Sequence, residues 1–96
     1  MAVKILIRRT FGNADKKDIM AMLIKARSNA MGMKGYISTE TLVSVEDPHS
    51  YLMLSMWQTK EDWEAYKTSP ARQQFEKESA KLLEKETQYE VFNMGM

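Results

Sequence analysis

The chain has 96 residues, and its composition, 44% hydrophobic and 28% charged, is typical of a small globular protein. This length predicts one domain over residues 1–96, with a thin core that self-association would strengthen. A formal net charge of +1 argues against nucleic acid or an anionic membrane as a partner, since both are bound through clustered positive charge. The chain has no cysteine, which excludes disulfides and thiolate ligands. Residues 1–9 lack an apolar run long enough for a signal sequence, so we expect a cytoplasmic protein.

The first third of the chain predicts a strand followed by an amphipathic helix. Residues 2–11 alternate apolar and polar side chains over most of their length, which is typical of a strand. Asn13 is the predicted N-cap of the helix that follows. One apolar helix face is indicated by residues at helical spacing: Ile19, Met22, Leu23, Ala26 and Ala30. Gly32 and Gly35 predict the end of this helix.

The middle of the chain predicts a β-hairpin. Residues 36–46 are rich in Thr and Val, and residues 51–58 form a second extended run. Between them, residues 47–50 read Asp-Pro-His-Ser, a composition typical of a turn. We therefore expect the two strands to be antiparallel neighbours.

The last third predicts a divided helix and a final strand. Thr59 followed by Asp62 resembles a capping box, with Asp in place of the usual Glu. Ser69 as an N-cap and Pro70 at the first helical position restart the helix. Its inward positions are predicted at helical spacing: Phe75, Ser79, Leu82 and Leu83. Residues 86–94 then predict the last strand.

The resulting order is βαββαβ, which is the ferredoxin-like α+β fold. Right-handed crossovers would place the first and third strands in the centre of a four-stranded antiparallel sheet. The second and fourth strands would form its edges, and the helices would cover one face.

The third strand is apolar on both of its faces. Its two predicted faces are Leu52, Leu54 and Met56 on one side, and Tyr51, Met53 and Trp57 on the other. One layer of helices covers only one face, and soluble monomers avoid large exposed apolar patches. We therefore expect a homodimer that packs two sheets face to face, although some of these residues could instead lie in turns or at the rim.

One histidine and three aromatic residues are the uncharged candidates for a site. His49 is the only histidine, and it could act as a general base, but its place in a turn favours a solvated residue without a role. Trp57, Trp63 and Tyr66 could line a flat pocket for a small aromatic molecule between sheet and helices. The alternative is that these three rings are packing residues of the core.

The charged candidates are arginines and one acidic helix face. Arg72 could hold a substrate oxygen, although a surface position on its helix is the simpler interpretation. Arg8 and Arg9 end the first strand, and we expect one to face solvent and the other to lie at an edge. Residues 76–86 predict a solvated helix face. One histidine without cysteine gives no metal site, and no glycine-rich phosphate loop is present.

Six short segments carry a resemblance to a known family: Gly35–Leu42, Asp47–Pro48, Tyr51–Gln58, Glu61–Trp63, Ser69–Pro70 and Glu90–Phe92. Together they resemble the antibiotic biosynthesis monooxygenase domain family over nearly the whole chain. The most specific part is the strand that ends in Trp57, followed six residues later by the aromatic Trp63. The resemblance implies a dimeric α+β barrel with a pocket between each sheet and its helices.

The family includes cofactor-independent oxygenases of polycyclic phenols and quinols, and haem-degrading enzymes. Trp57 matches the family tryptophan, but Trp63 stands where an oxygenase tyrosine is expected and Met53 where an asparagine is expected. Glu76 lies close to the position of an expected arginine. The haem-degrading branch has an axial histidine near that position, which this sequence lacks, and Tyr66 occupies its tryptophan position. The resemblance therefore disfavours haem degradation.

The leading hypothesis is a cofactor-independent monooxygenase that acts on an aromatic or quinol-like small molecule. In it Trp57, Trp63 and Tyr66 shape the pocket, Arg72 is the polar anchor, and no catalytic residue is assigned. The alternative is a dimeric small-molecule-binding or stress-response module without catalysis. The lack of a residue poised for acid–base catalysis favours this alternative.

Overall fold

The computed structural model describes residues 1–95 and has the predicted βαββαβ order. Its second helical region is divided in two, as the sequence suggested. The elements in chain order are β1 (Val3–Thr10), α1 (Lys16–Met31), β2 (Tyr36–Val43), β3 (Ser50–Trp57), α2 (Lys60–Lys67), α3 (Pro70–Ser79), a 3₁₀ turn (Ala80–Leu82) and β4 (Gln88–Asn93). No helix in this part of the chain is long and apolar enough to cross a membrane.

The four strands form one antiparallel sheet in the order β2-β3-β1-β4. The first and third strands are therefore the central pair, which confirms the predicted topology. At the middle of the sheet, Leu6 of β1 lies opposite Leu54 of β3 and Glu90 of β4. This register determines which side chains share a face, because residues directly opposite each other point to the same side.

The helices cover one face of the sheet, and the core lies between them. Along β1 and β3 every second residue is buried, as the predicted alternation required. The helix α1 adds the predicted apolar face, of which Ala26 alone is only partly buried. The core formed in this way consists of Val3, Ile5, Ile7, Phe11, Ile19, Met22, Leu23, Ala30, Tyr51, Met53, Trp57, Trp63, Tyr66 and Phe75.

Helix α1 begins two residues later than predicted, with Asp15 rather than Asn13 as its N-cap. The cause lies just before it, where Phe11 donates its N–H to the carbonyl of His49 and Gly12 donates to that of Leu82. These two hydrogen bonds keep the chain extended past the end of β1. Helix α1 therefore begins only after these two hydrogen-bonded residues, at Lys16.

The caps of α2 and α3 are as predicted. The Thr59 hydroxyl oxygen accepts from the N–H of Asp62, and the Ser69 hydroxyl oxygen accepts from the N–H of Arg72. Helix α3 ends at Ser79, so the predicted helical positions of Leu82 and Leu83 fall in and after the 3₁₀ turn. Three predicted strands are longer than observed: β1 spans Val3–Thr10 and not 2–11, β2 ends at Val43, and β4 spans only Gln88–Asn93.

The open face of the sheet carries an apolar centre with charges around it. By register and alternation, its apolar members are Leu6, Leu42, Leu52, Leu54, Met56 and Phe92. Lys4 and Arg8 flank Leu6 along β1, and Glu40 and Glu90 lie at the two ends of the central row. The third strand is thus apolar on both faces, as predicted.

Gly35, in the loop between α1 and β2, is the one residue with a positive φ, 85°, among the described residues. Its substitution tests whether this loop requires a glycine. A Cβ at this position would overlap the side chain of Asp62. We expect Gly35→Ala to lower the free energy of unfolding by about 1–3 kcal/mol, because strain and overlap add. Urea denaturation would measure the change.

Gly32 is the matched control, because its φ is −90° and a Cβ there would meet open space. Gly32→Ala is expected to leave stability unchanged or to raise it by up to about 1 kcal/mol. Equal destabilisation by the two substitutions would contradict this account of the loop.

Candidate functional site

The three aromatic candidates lie together beneath the sheet and are buried. The rings of Trp57 and Tyr66 stack with centroids 5.2 Å apart, and Trp63 lies 5.9 Å from Trp57 and 6.0 Å from Tyr66. Their polar atoms are also engaged inside the protein. The indole N–H of Trp57 donates to the Ser55 hydroxyl at 2.9 Å, and the Tyr66 hydroxyl donates to the carbonyl of Ala26 at 3.4 Å. The structure therefore brings these residues together as a packed cluster.

The space that remains between sheet and helices is small. This inner cavity has a volume of about 30 Å³ and is bordered by Trp63, Tyr66, Arg9 and Arg72 among others. A cavity needs about 10–15 Å³ to hold one water molecule, whereas small-molecule pockets usually measure about 300–1,000 Å³. The inner cavity therefore has no room for an aromatic ring, unlike the pocket that the sequence led us to expect.

Arg72 is the centre of a polar cluster and not a surface residue of its helix. It is only 3% exposed. Its two Nη groups donate to the hydroxyls of Tyr66 at 3.3 Å and Tyr89 at 2.7 Å. Its Nη2 also forms an ion pair of 2.8 Å with Oε1 of Glu76. The surface interpretation of Arg72 was wrong, because the cap at Ser69 starts the helix so that its third residue turns inward.

Arg9 is a member of this cluster that the sequence interpretation missed. It is 1% exposed, and its Nη2 donates to Oε1 of Glu76 at 2.9 Å. The expectation that Arg8 or Arg9 lies at an edge was wrong, since Arg9 continues the buried series of Ile5 and Ile7. The alternation of buried and less buried residues along β1 would have predicted that Arg9 points to the helix side of the sheet.

Glu76 accepts three polar contacts on a single oxygen atom, two from guanidiniums and one from a hydroxyl. Besides both guanidiniums, the Tyr89 hydroxyl donates to Oε1 at 3.2 Å. The carboxylate is 28% exposed, so Glu76 does not belong to the solvated face predicted for residues 76–86. Two guanidiniums against one carboxylate leave the cluster with one positive charge.

The pKa values of the cluster follow from burial and from these neighbours. Burial lowers the pKa of Arg9, and the nearby charge of Arg72 lowers it further. Burial also opposes charge on Arg72, but Tyr89 and Glu76 outweigh burial and raise the pKa of Arg72. Burial raises the pKa of the Tyr89 hydroxyl, so this group is a neutral phenol at pH 7.

A larger cavity opens on the other side of Arg72, between α3 and the segment that leads into β4. This outer cavity has a volume of about 510 Å³. Arg72, Glu76 and Tyr89 form its inner wall, and the Lys67 ammonium lies 4.4 Å from the centre of the Tyr89 ring. Thr87 also lines it, and its buried hydroxyl has no hydrogen-bond partner within residues 1–95. This space is large enough for an aromatic ligand and borders the polar cluster directly.

His49 is exposed at the tip of the β2–β3 hairpin and borders neither the inner nor the outer cavity. The backbone N–H of His49 donates to the carboxylate of Asp47 within the turn. Across the described part of the chain, no three His, Asp or Glu side chains form a group that could hold a metal ion. The turn interpretation of His49 fits this position.

The shared carboxylate gives a stability prediction. Glu76→Gln removes the one negative charge between two buried guanidiniums, and we expect it to lower the free energy of unfolding by about 1–3 kcal/mol. Glu78→Gln is the control, because its 3.6 Å pair with Lys25 is exposed on both sides and is worth about 0–1 kcal/mol. Urea denaturation at pH 7 would compare them, and equal losses would show that Glu76 does not balance the cluster.

Comparison with known proteins identifies the family. The family model described as antibiotic biosynthesis monooxygenase matches residues 5–78. Among solved structures, SnoaB, a cofactor-independent oxygenase from Streptomyces nogalater, aligns with a TM-score of 0.88 at 12% identity, covering 99% of this chain and 94% of that one. Rv0793 from Mycobacterium tuberculosis aligns with a TM-score of 0.86 at 12% identity, covering 100% and 97%.

A conserved protein from Methanosarcina mazei Go1 is also similar, with a TM-score of 0.80, 14% identity and coverage of 99% and 94%. Identities this low establish the shared fold alone. Among curated proteins, none matches the sequence. The family match extends over most of the chain, and the chain therefore belongs to the antibiotic biosynthesis monooxygenase family.

Proposed function

We propose that the protein is a cytoplasmic, cofactor-independent monooxygenase that acts on an aromatic or quinol-like small molecule in the outer cavity. The observation that carries this proposal is a ring-sized space of about 510 Å³ whose inner wall is the positively charged cluster around Arg72. Family membership supports the reaction class. SnoaB, described as a cofactor-independent oxygenase, shares the fold.

Oxygenation without a cofactor requires a substrate that gives up a proton and then reduces dioxygen itself. For an anthrone, a ring CH₂ becomes C=O, one oxygen atom enters the product, and the other leaves as water with the two hydrogens. The protein must therefore favour the substrate anion. Arg72 and Lys67 supply positive charge to the outer cavity, and the Tyr89 ring supplies a flat wall.

The polar residues that the family resemblance implies are partly replaced here, and the cluster offers a substitute. Glu76 stands close to the position of the expected arginine, but it is held by the guanidiniums of Arg9 and Arg72. The positive charge is thus provided by two arginines at other positions. Thr87 adds a buried hydroxyl that has no hydrogen-bond partner in the described part of the chain, and it lies beside the same space.

Lys67 allows a direct test, because it is exposed and its replacement should not disturb the core. We expect oxygen uptake with an anthrone or a menadiol-type hydroquinone to exceed the rate in buffer. Lys67→Met should lower kcat/KM by about three- to tenfold, since it removes one charge from the cavity wall. An oxygen electrode with quinone absorbance would follow the reaction.

Lys60→Met is the matched control at the opposite end of α2, where Lys60 pairs with Glu64 at 3.6 Å and borders neither cavity. It should retain the wild-type rate. Uptake that is no faster than in buffer would reject the enzyme. Equal effects of the two substitutions would reject this location of the site.

A dimeric small-molecule-binding or stress-response module without catalysis is the second candidate. One observation favours it: Oε1 of Glu76, the carboxylate in the inner wall, already accepts from three groups, so it is a poor acceptor for a substrate proton. This module would bind the same aromatic compounds in the outer cavity and show no oxygen uptake. Binding measured by tryptophan fluorescence beside the uptake assay separates the two functions.

We also propose that the protein is a homodimer through its open sheet faces. Within residues 1–95 no helix covers the apolar centre around Leu6 and Leu54, and a second copy would cover it under two-fold symmetry. Such symmetry would also allow Lys4 and Arg8 of one copy to meet Glu40 and Glu90 of the other. The charges around the centre are therefore compatible with self-association.

The dimer is tested by Leu54→Asp, which puts a charge in the middle of the open face. We expect wild-type protein at micromolar concentration to have twice the 11.1 kDa chain mass in light scattering, and the variant to be monomeric. Ile24→Asp, on the exposed side of α1, should leave the dimer intact. A monomeric wild-type protein would refute the proposal.

A further inference from the structure

The inner cavity lies between the sheet and helix α1 and reaches the surface at the exposed residues Arg27 and Thr41. Arg9 and Arg72 both border it, and both are at least nine-tenths buried. Each of them retains a buried Nε–H that has no acceptor among residues 1–95. Buried donors of this kind are rare, because leaving one unpaired costs free energy. An acceptor for these two Nε–H groups is therefore missing among the described residues, and both arginines border the inner cavity.

The other polar groups around the cavity add donors and no negative charge. The Ser55 oxygen accepts from the indole of Trp57, and the Thr39 oxygen accepts from Tyr36, so the hydroxyl hydrogens of both residues remain available. No Asp or Glu of the described chain borders this space. A ligand here would meet N–H and O–H groups and would have to accept from them.

The charge balance favours an anion over a neutral acceptor. Glu76 neutralises one of the two buried guanidiniums, and one positive charge remains beneath the sheet. A water molecule could accept from an Nε–H, but it would leave that charge uncompensated. The nearby charge of Arg72 lowers the pKa of Arg9, which shows that the two guanidiniums repel each other. An anion between them would relieve this repulsion.

We propose that the inner cavity is a binding site for one small monovalent anion of halide size, held by the Nε–H groups of Arg9 and Arg72. Its volume of about 30 Å³ exceeds the roughly 10–15 Å³ that one water molecule needs, and it excludes a carboxylate on an aromatic ring. The anion would complete the charge balance of the cluster from the side opposite Glu76. This site shares Arg72 with the outer cavity but does not depend on an oxygenase reaction.

The direct test is diffraction from wild-type crystals grown in bromide, with data collected at the bromine absorption edge. An anomalous peak inside the inner cavity, within hydrogen-bond distance of Nε of both arginines, is expected. Bromide bound only at the surface, or a cavity that contains water alone, would overturn the proposal.

A solution test uses the dependence of stability on the anion. Replacing gluconate by chloride at constant ionic strength should raise Tm by roughly 4 °C or more once chloride is well above its Kd, because only the folded protein has the site. Ala30→Val should abolish that rise, since Ala30 borders the cavity and the added methyl groups would fill it. A chloride effect that persists in this variant would place the ion elsewhere and reject the site.

Ala21→Val is the matched control, because Ala21 lies on the exposed side of the same helix and carries the same cost of a β-branched residue. It should retain the full chloride-dependent rise in Tm. If Ala30→Val fails to fold, the bromide measurement on wild-type protein still decides the question. Neither test involves oxygen uptake, so failure of the enzyme proposal and failure of the anion site are distinguishable.

Discussion

Arg9 and Arg72 both lie on the helix side of the sheet, where charged groups are costly unless they are paired. They approach from different elements, one from β1 and one from α3, and the carboxylate of Glu76 joins them. Tyr89 connects the same carboxylate to β4. One oxygen atom therefore links the central strand, an edge strand and a helix. The position of α3 against the sheet depends on this arrangement, because separating the partners would leave a buried charge unpaired.

The cluster also divides the interior into two regions of different character. At the aromatic end, Trp57, Trp63 and Tyr66 fill the space with their own rings. At the polar end, Arg72 borders both the inner cavity of about 30 Å³ and the outer cavity of about 510 Å³. Apolar rings pack closely, whereas a charged cluster must keep its polar atoms in contact with other polar groups or with solvent. Space for a ligand therefore lies beside the charges, and the rings of Trp63 and Tyr66 form only part of the wall of the inner cavity.

The fold could be predicted from local signals, whereas the site could not. Alternation along β1 and β3 and the caps at Thr59 and Ser69 are local patterns that burial does not override. The inward direction of Arg9 follows the same alternation, but its charge led us to place it at an edge. The filled aromatic space depends on ring angles such as the 23° between Trp57 and Tyr66, which tertiary packing determines. Residue type alone does not distinguish a pocket wall from a packed core.

The replacement of an expected arginine by Glu76 raises the question of whether the site still favours anions. A lone carboxylate at that position would repel a phenolate or an enolate. Here two guanidiniums lie 2.8 and 2.9 Å from it, so the carboxylate serves to hold them and the cluster keeps a positive charge. The net positive charge is thus provided by residues at other positions of the fold. That charge reaches both cavities through Arg72, and Lys67 adds a positive charge to the outer cavity that an anion in the inner cavity would not neutralise.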